Sequence, residues 1–262
     1  MDNRPVGFID SGIGGLHYLY STKKLLPHEQ MVYVADNAHF PYGNKAHDEI
    51  RRTVRATVKK LIAAENPKVI VIACNTASVV ALANLREHFS VPFVGVVPAV
   101  KPAAERSKRR KIGVLATSRT VEDDYTAALI QDFASDCIVT RNHGSSLVDF
   151  VENLFLTADE EEIRKQVADA VKMFDHGGID TLVLGCTHFT FLEPYFRELL
   201  GPEITVIDSR DGVSKRVVSI LEGKKMFGKN RAGDLLYSTG PDVQEKYKMV
   251  AEKFSLSYAG VL

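Results

Sequence analysis

The strongest constraint on the fold is an alternation of short apolar runs with longer segments of helical period. The runs are rich in Val, Ile and Leu and contain few polar residues, which is typical of parallel strands buried on both faces. Eight strands are predicted, over residues 6–10, 31–35, 68–73, 92–97, 111–116, 137–141, 181–185 and 204–208. Apolar residues at spacings of three and four predict a helix over 47–65. The chain is therefore predicted to have an α/β fold.

Strands of the first half have counterparts in the second half at a nearly constant distance along the chain. The four matched pairs, 106 to 112 residues apart, are Phe8 with Val114, Val32 with Ile138, Ile70 with Leu182 and Val96 with Ile207. Matched strands also end in similar residues, as in VIVIACNT (69–76) and TLVLGCTH (181–188). We interpret this as a duplication that gives two similar doubly wound parallel-sheet lobes with a pseudo-two-fold relation. The alternative is that a doubly wound chain produces such spacings by chance.

Two domains are predicted from this duplication. The first comprises residues 1–97 and 208–262, and the second comprises residues 98–207. The C-terminal region has no counterpart, and its predicted helices, over 212–222 and 242–254, are expected to pack on the first lobe. Because ligands bind beyond the carboxyl ends of parallel strands, we expect the active site in the cleft between the lobes.

Composition excludes several classes of protein. The 33 basic and 33 acidic residues cancel, so no overall charge attracts nucleic acid or an acidic membrane surface. No apolar run approaches the roughly 18 residues of a membrane span, and the N-terminal residues lack the apolar stretch of a secretory signal. We predict a cytoplasmic protein that binds neither nucleic acid nor membrane.

The three cysteines fall into a pair and a single residue. Their number and spacing fit neither a disulfide framework nor a zinc site, so no metal is predicted. Cys137 begins a predicted strand and is interpreted as a packing residue. Cys74 and Cys186 follow matched strands, and hydrogen-bonding residues come after each. One such cysteine is usually a small buried apolar residue, but two at matched positions indicate a function.

Two thiols on opposite faces of one carbon suit the inversion of a stereocentre. One thiolate removes a proton, and the other thiol supplies a proton to the opposite face. An unperturbed cysteine has a pKa of about 8.5, so its ionisation at pH 7 costs roughly 2 kcal/mol and helping groups are expected. Asp10 and His188 are the candidates, although Asp10 could instead cap a helix and His188 could be structural.

Four loops indicate the kind of substrate. DSGIGG (10–15), PYG (41–43), CNTAS (74–78) and CTHFT (186–190) are rich in small and hydroxyl residues at predicted helix N-termini. Such places bind carboxylates through backbone N–H groups. None of them matches a dinucleotide-binding or P-loop pattern, so a small anion is expected rather than a nucleotide.

Together these motifs resemble those of the glutamate racemases, members of the aspartate/glutamate racemase group. The resemblance covers nearly the whole chain and includes DSGIGGL (10–16), ADNAHFPYGNK (35–45), IACNTAS (72–78), GVLAT (113–117), LGCTHF (184–189) and STG (238–240). It implies an isomerase, a glutamate racemase that works without pyridoxal phosphate, any other cofactor or metal. It also implies a homodimer that supplies D-glutamate for peptidoglycan synthesis, and hence for cell wall biogenesis and cell shape, in the cytoplasm.

The resemblance further implies the residues of the site. Cys74 would take the proton from D-glutamate and Cys186 the proton from L-glutamate. Asp10 would assist the first thiol, and His188 and Glu152 would be further catalytic residues. The implied substrate-binding residues are Asp10, Ser11, Tyr42, Gly43, Asn75, Thr76, Thr117, Thr120, Thr187 and His188.

Three positions depart from the commonest family pattern. HGSSLVDFVE (143–152) replaces a segment that usually contains proline, and this resembles a branch in which some members are activated by a cell-wall precursor. Thr190 replaces a more usual Pro, and Arg119 replaces a frequent Gly. Arg119 could alter carboxylate binding by Thr117 and Thr120, but no departure removes a predicted catalytic atom.

Other functions remain open at this stage. A racemase of another small acid, such as aspartate or a hydantoin, would use the same chemistry. A two-lobed protein that binds a small anion without catalysis would not need a thiol in each lobe. A thiol redox protein would need Cys74 and Cys186 close enough to form a disulfide.

Overall fold

The structure, a computed structural model, describes residues 1–174, 178–229 and 232–262. Its strands are β1 Val6–Asp10, β2 Met31–Ala35, β3 Val69–Ile72, β4 Phe93–Gly95, β5 Lys111–Ala116, β6 Ile138–His143, β7 Thr181–Leu184, β8 Thr205–Ile207, β9 Leu235–Ser238 and β10 Ser257–Val261. Its α-helices are α1 Leu16–Leu25, α2 His47–Glu65, α3 Asn75–His88, α4 Val100–Arg106, α5 Ser118–Glu122, α6 Asp124–Phe133, α7 Ser145–Asn153, α8 Glu160–Lys172, α9 Glu193–Leu200, α10 Arg210–Lys224 and α11 Gln244–Lys253. Short 3₁₀ helices cover Asn37–His39, Tyr42–Asn44, Thr187–Phe191 and Pro241–Val243.

The chain forms two compact units. The first contains residues 1–96 and 210–262, and the second contains residues 97–209. The sequence prediction placed the corresponding domain boundaries at 97/98 and 207/208, and their status as separate domains stays a prediction.

Both units are built on an all-parallel sheet. In the first unit the strand order is β10-β9-β2-β1-β3-β4, and in the second it is β6-β5-β7-β8. The order β2-β1-β3-β4 is therefore repeated strand for strand, in agreement with the matched pairs of the sequence. The predicted α/β fold with two parallel-sheet lobes is confirmed.

The central strands are buried because helices cover them. Every residue of β1, β2 and β3 is buried, which agrees with their continuous apolar sequence. The helix predicted over 47–65 has those bounds, and it packs Ile50, Val54, Val58 and Leu61 into the core. Asn66 follows the last residue of this helix. Its φ of 47° is left-handed, a conformation that asparagine tolerates.

The C-terminal region differs from its prediction. Two helices were expected there, and α10 and α11 are present, but β9 and β10 also extend the first sheet beyond β2. In β10 exposed and half-buried residues alternate, because it is an edge strand that packs on one face only. No helix within the described residues is long and apolar enough to cross a membrane.

Candidate active site

Both predicted catalytic cysteines lie where the strand order of their unit reverses. In the first unit β1 and β3 are neighbours, with β2 on one side and β4 on the other. In the second unit β5 and β7 have the same relation. Ligands of open parallel sheets bind beyond the carboxyl ends of such strands. Cys74 follows β3 and Cys186 follows β7, so each unit has a thiol at its expected ligand position.

Cys74 is the residue immediately before α3, a helix of 14 residues. It is buried at 7% exposure and has an extended backbone, with no hydrogen bond from its side chain to the helix end. Unpaired N–H groups and the helix dipole at this end favour a negative charge. The helix that follows Cys74 would therefore stabilise a thiolate at this position.

Asn75 has the clearest sign of a ligand position in the first unit. Its side chain is 2% exposed, and neither Nδ2 nor Oδ1 has a hydrogen-bond partner among the described residues. A buried amide without partners is costly and uncommon in proteins. Thr76 follows it and is equally buried. We interpret the Asn75 amide as a group that a polar ligand completes.

Asp10 ends β1 and Ser11 follows it, beside the end of β3. Ile9 pairs with Ile72, so Asp10 lies one residue beyond that pair and Cys74 two residues beyond it. The Asp10 Oδ1 atom accepts the Ser11 backbone N–H at 2.6 Å, and the Ser11 hydroxyl lies 3.4 Å from the same oxygen. Both residues are buried, which removes competing water from their polar atoms.

The glycine-rich loop after β1 fits closely against the end of β3. A Cβ atom on Gly15 would lie 2.7 Å from the Ala73 Cβ and 2.9 Å from its carbonyl oxygen. Tyr33 fixes this loop from β2, because its hydroxyl donates to the Gly12 carbonyl at 2.7 Å and accepts the Gly15 N–H at 3.1 Å. Gly15 is therefore needed for the close approach of the loop to the strand that precedes Cys74.

Tyr42 belongs to the same neighbourhood of the first unit. It is 1% exposed and packs in the apolar cluster that contains Cys74. Burial, followed by the nearby Asp36 carboxylate, raises the pKa of Tyr42 well above its usual value, and Cys74 and Asp10 add to this rise. Tyr42 therefore keeps its proton. Gly43 follows in the same 3₁₀ helix and is half-buried.

The second unit connects its thiol to an imidazole and a carboxylate. The Cys186 Sγ atom lies 3.9 Å from His188 Nδ1, and His188 Nε2 lies 3.0 Å from Glu152 Oε2. All three side chains are at most 5% exposed. Cys186 and His188 flank the start of a five-residue 3₁₀ helix, whereas Glu152 comes from α7.

The Glu152 carboxylate bears on which imidazole nitrogen of His188 carries a proton. In a neutral imidazole, a carboxylate at Nε2 favours the tautomer with the proton on that nitrogen. In that tautomer Nδ1 is the acceptor nitrogen, and it lies on the side of the Cys186 thiol. The three side chains follow one another in the order of a nucleophile, a base and an orienting carboxylate.

Threonines surround the same end of the second sheet. Thr117 and Thr120 frame the first turn of α5, where the Thr117 hydroxyl accepts the Thr120 N–H at 3.3 Å and donates to the Thr120 hydroxyl at 3.0 Å. Thr187 is buried directly after Cys186. These hydroxyls follow β5 and β7, the two strands at the reversal point.

The departures from the family pattern lie around these groups. Arg119 is half-buried in α5, between Thr117 and Thr120. Thr190 is buried, and its hydroxyl donates to the Thr187 carbonyl at 2.7 Å, so it supports the short helix after Cys186. In the segment 143–152, the Ser145 hydroxyl lies 3.3 Å from that of Ser118.

Cys137 has a different environment from the other two cysteines. It is partly buried against the apolar cluster of the second unit, and burial raises the pKa of its thiol. A thiol with a raised pKa is a weaker nucleophile at neutral pH. No group of three His, Cys, Asp or Glu side chains that could hold a metal ion occurs in the described parts of the chain.

One buried group of the site was missed by the sequence analysis. Asp36 lies directly after β2 and is fully buried against Tyr42, to which it is hydrogen-bonded. The available signal was its position, because it follows a buried strand of the motif ADNAHFPYGNK. One of its contacts is Thr239, which is so distant in sequence that residue spacing gives no sign of the contact.

A repeated β2-β1-β3-β4 order with a thiol at each reversal point defines a class of two-lobed α/β proteins suited to acid and base chemistry by cysteine. Residues 17–212 match the sequence profile of the Asp/Glu/hydantoin racemase family, and the chain belongs to that family. The family resemblance of the sequence motifs is thereby confirmed.

Individual relatives cover nearly the whole chain. The chain is 37% identical over 255 residues to a glutamate racemase of Treponema pallidum, with 97% of this chain and 95% of that protein covered. The structure of Escherichia coli glutamate racemase with L-glutamate and the activator UDP-MurNAc-ala is similar, with a TM-score of 0.89, 32% identity and coverage of 99% and 98%. Glutamate racemase of Francisella tularensis with D-glutamate gives a TM-score of 0.83, 27% identity and coverage of 100% and 98%.

Proposed function

We propose that this protein interconverts L- and D-glutamate by proton transfer at Cα between Cys74 and Cys186, without pyridoxal phosphate. The observation that carries the proposal is the pair of thiols at equivalent strand ends of two sheets with the same strand order. Each thiol also has its own means of becoming a thiolate. The glutamate racemases among the relatives support glutamate as the substrate.

In the direction from L- to D-glutamate, the Cys186 thiolate takes the proton from Cα. The Cα–H electron pair then forms a bond to the proton of the Cys74 thiol, which is delivered to the opposite face and leaves Cys74 as the thiolate. The reverse reaction begins with the Cys74 thiolate. Each turnover exchanges the states of the two cysteines, so each must be stable both as thiol and as thiolate.

The remaining residues would bind and orient the substrate. His188 with Glu152 would hold the proton released by Cys186, and Asp10 would assist Cys74. The Asn75 amide would receive hydrogen bonds from a substrate group and donate to another, which would satisfy both of its buried polar atoms. Further substrate-binding residues in this proposal are Ser11, Tyr42, Gly43, Thr76, Thr117, Thr120 and Thr187.

The cellular role proposed here follows the family. D-glutamate is required for peptidoglycan, so the enzyme would act in cell wall biogenesis. In this proposal it is located in the cytoplasm and forms a homodimer. The similarity to racemases with glutamate bound supports a small-molecule substrate.

The decisive experiment is incubation of the purified protein with each enantiomer of glutamate in deuterium oxide. We expect formation of the opposite enantiomer from both, with deuterium at Cα of the product. Because the equilibrium constant of a racemisation is one, kcat/KM must be equal in the two directions. Aspartate is the comparison substrate. The proposal fails if neither glutamate enantiomer is converted, or if aspartate is converted with the higher kcat/KM.

A further inference from the structure

A buried carboxylate beside the proposed site has a set of partners that nothing in the catalytic proposal requires. Asp36 is fully buried, and three hydroxyls donate to it. Thr239 donates to Oδ1 at 2.7 Å and Tyr42 donates to Oδ2. The single proton of the Thr57 hydroxyl is shared between Oδ2 at 3.3 Å and the Thr53 carbonyl at 3.2 Å. His39 Nδ1 lies 2.8 Å from Oδ1. Each of the two carboxylate oxygens therefore has two polar contacts within the first unit.

These partners come from separate parts of the first unit. Tyr42 and His39 belong to the loop after β2, Thr57 lies on α2, and Thr239 follows β9. The neighbouring Asn37 strengthens the last connection, because its Oδ1 accepts the N–H groups of Thr239 and Gly240, each at 2.9 Å. Asp36 thus joins the loop that contains Tyr42 to α2 and to the residue that follows β9.

The hydroxyl of Tyr42 donates its proton to Asp36 in a hydrogen bond. A tyrosine hydroxyl has one proton to donate, and the raised pKa keeps that proton in place. The Tyr42 ring, which is 1% exposed, is therefore fixed at its far end by Asp36 and along its side by apolar packing. Fixing this side chain also fixes the main chain of Tyr42 and Gly43.

We propose that Asp36 is a positioning residue for substrate binding, which holds Tyr42 and Gly43 in place through the Tyr42 hydroxyl. The inference rests on the proposed function, because that function assigns Tyr42 and Gly43 to the substrate. It adds a residue that acts through Tyr42 and does not touch substrate. Removal of a residue that only positions the substrate-binding loop raises KM and leaves the proton-transfer step unchanged.

The test compares two hydroxyls that donate to the same oxygen of Asp36. Tyr42→Phe and Thr57→Val each remove one of these hydroxyls. Only Tyr42→Phe releases Tyr42 and Gly43, which the proposed function assigns to the substrate. We expect Tyr42→Phe to raise KM for glutamate about tenfold, the factor for one lost hydrogen bond to a charged group, with kcat within about twofold. Thr57→Val should leave both constants within about twofold, even where it lowers the melting temperature.

The carboxylate itself is tested by Asp36→Asn, alone and combined with Tyr42→Phe. If Asp36 acts through Tyr42, its effect on KM is not additive with Tyr42→Phe, and the double variant resembles the single ones. Equal KM effects of Tyr42→Phe and Thr57→Val, or additive effects in the double variant, would overturn the positioning role.

A second measurement needs no substrate and separates this inference from the proposed function. Amide hydrogen exchange over residues 36–45 should be faster in Tyr42→Phe and Asp36→Asn than in Thr57→Val. Unchanged exchange in this segment refutes the positioning role whatever the activity. Loss of the proposed function is instead seen in the wild-type protein, as absence of glutamate racemisation.

Discussion

The two units provide the same thiol with different chemical surroundings. Cys74 precedes a 14-residue α-helix, so the helix N-terminus can stabilise its thiolate. Cys186 precedes a 3₁₀ helix of only five residues and has instead His188, which Glu152 orients. The duplicated sheet therefore fixes where each thiol lies, and the connecting segments determine how each thiol loses its proton.

The largest expected effect is the loss of either thiol. Cys74→Ser and Cys186→Ser should each lower racemisation by about 10³-fold or more, since a serine hydroxyl is far harder to ionise. Each variant should keep exchange of the Cα proton of one enantiomer with deuterium oxide. We expect exchange of D-glutamate in Cys186→Ser and of L-glutamate in Cys74→Ser.

The pattern of exchange tests the assignment of the faces. Exchange of the opposite enantiomer in each variant would reverse the roles of the two cysteines. Exchange of both enantiomers in both variants would contradict a mechanism with one base for each face. Cys137→Ser is the matched control and should racemise glutamate at the wild-type rate. The Cys137 thiol directly precedes β6 and packs in the second unit, away from the carboxyl ends of β5 and β7.

His188→Gln should have the next largest effect, and it should affect one thiol only. In the Cys74→Ser background we expect exchange of L-glutamate to fall about 10²-fold, because Cys186 loses its proton acceptor. In the Cys186→Ser background the same change should leave exchange of D-glutamate within about twofold. Equal losses in the two backgrounds would show that His188 acts on both half-reactions.

The smallest effect is expected from Asn75→Ala. The amide has no hydrogen-bond partner among the described residues, so its removal should change the free energy of unfolding without ligand by no more than about 1 kcal/mol. KM for glutamate should rise about tenfold, since substrate loses its hydrogen bonds to the amide. Chemical denaturation and initial-rate kinetics measure the two quantities. A large loss of stability with unchanged KM would assign Asn75 to the fold.

Much of the sheet could be predicted because buried parallel strands are continuously apolar. The run over 6–10 and the helix over 47–65 have the predicted bounds. β9 was not predicted, because LLYS is short and only Leu236 and Ser238 are buried. β10 was not predicted because exposed and half-buried residues alternate along it. Strands at a sheet edge lose the apolar signal on which the prediction depends.

The candidate site was predictable to the extent that its residues adjoin strand ends. Cys74 and Cys186 could be found from their matched positions, and His188 from its distance of two residues from Cys186. Glu152 was suggested only by family resemblance, because α7 brings it to His188 from 36 residues away. Asp36 could not be assigned, since its donors Thr57 and Thr239 are 21 and 203 residues away and only the folded chain brings them together.

The pairing of β9 with β2 has a consequence for the order in which the protein is made. A ribosome delivers residues 1–96, then all of the second unit, and β9 only after that unit. Until then the outer edge of β2 has no partner strand, and unpaired edges promote association between chains. The nascent chain must therefore carry an open, apolar strand edge while the second unit completes its own sheet.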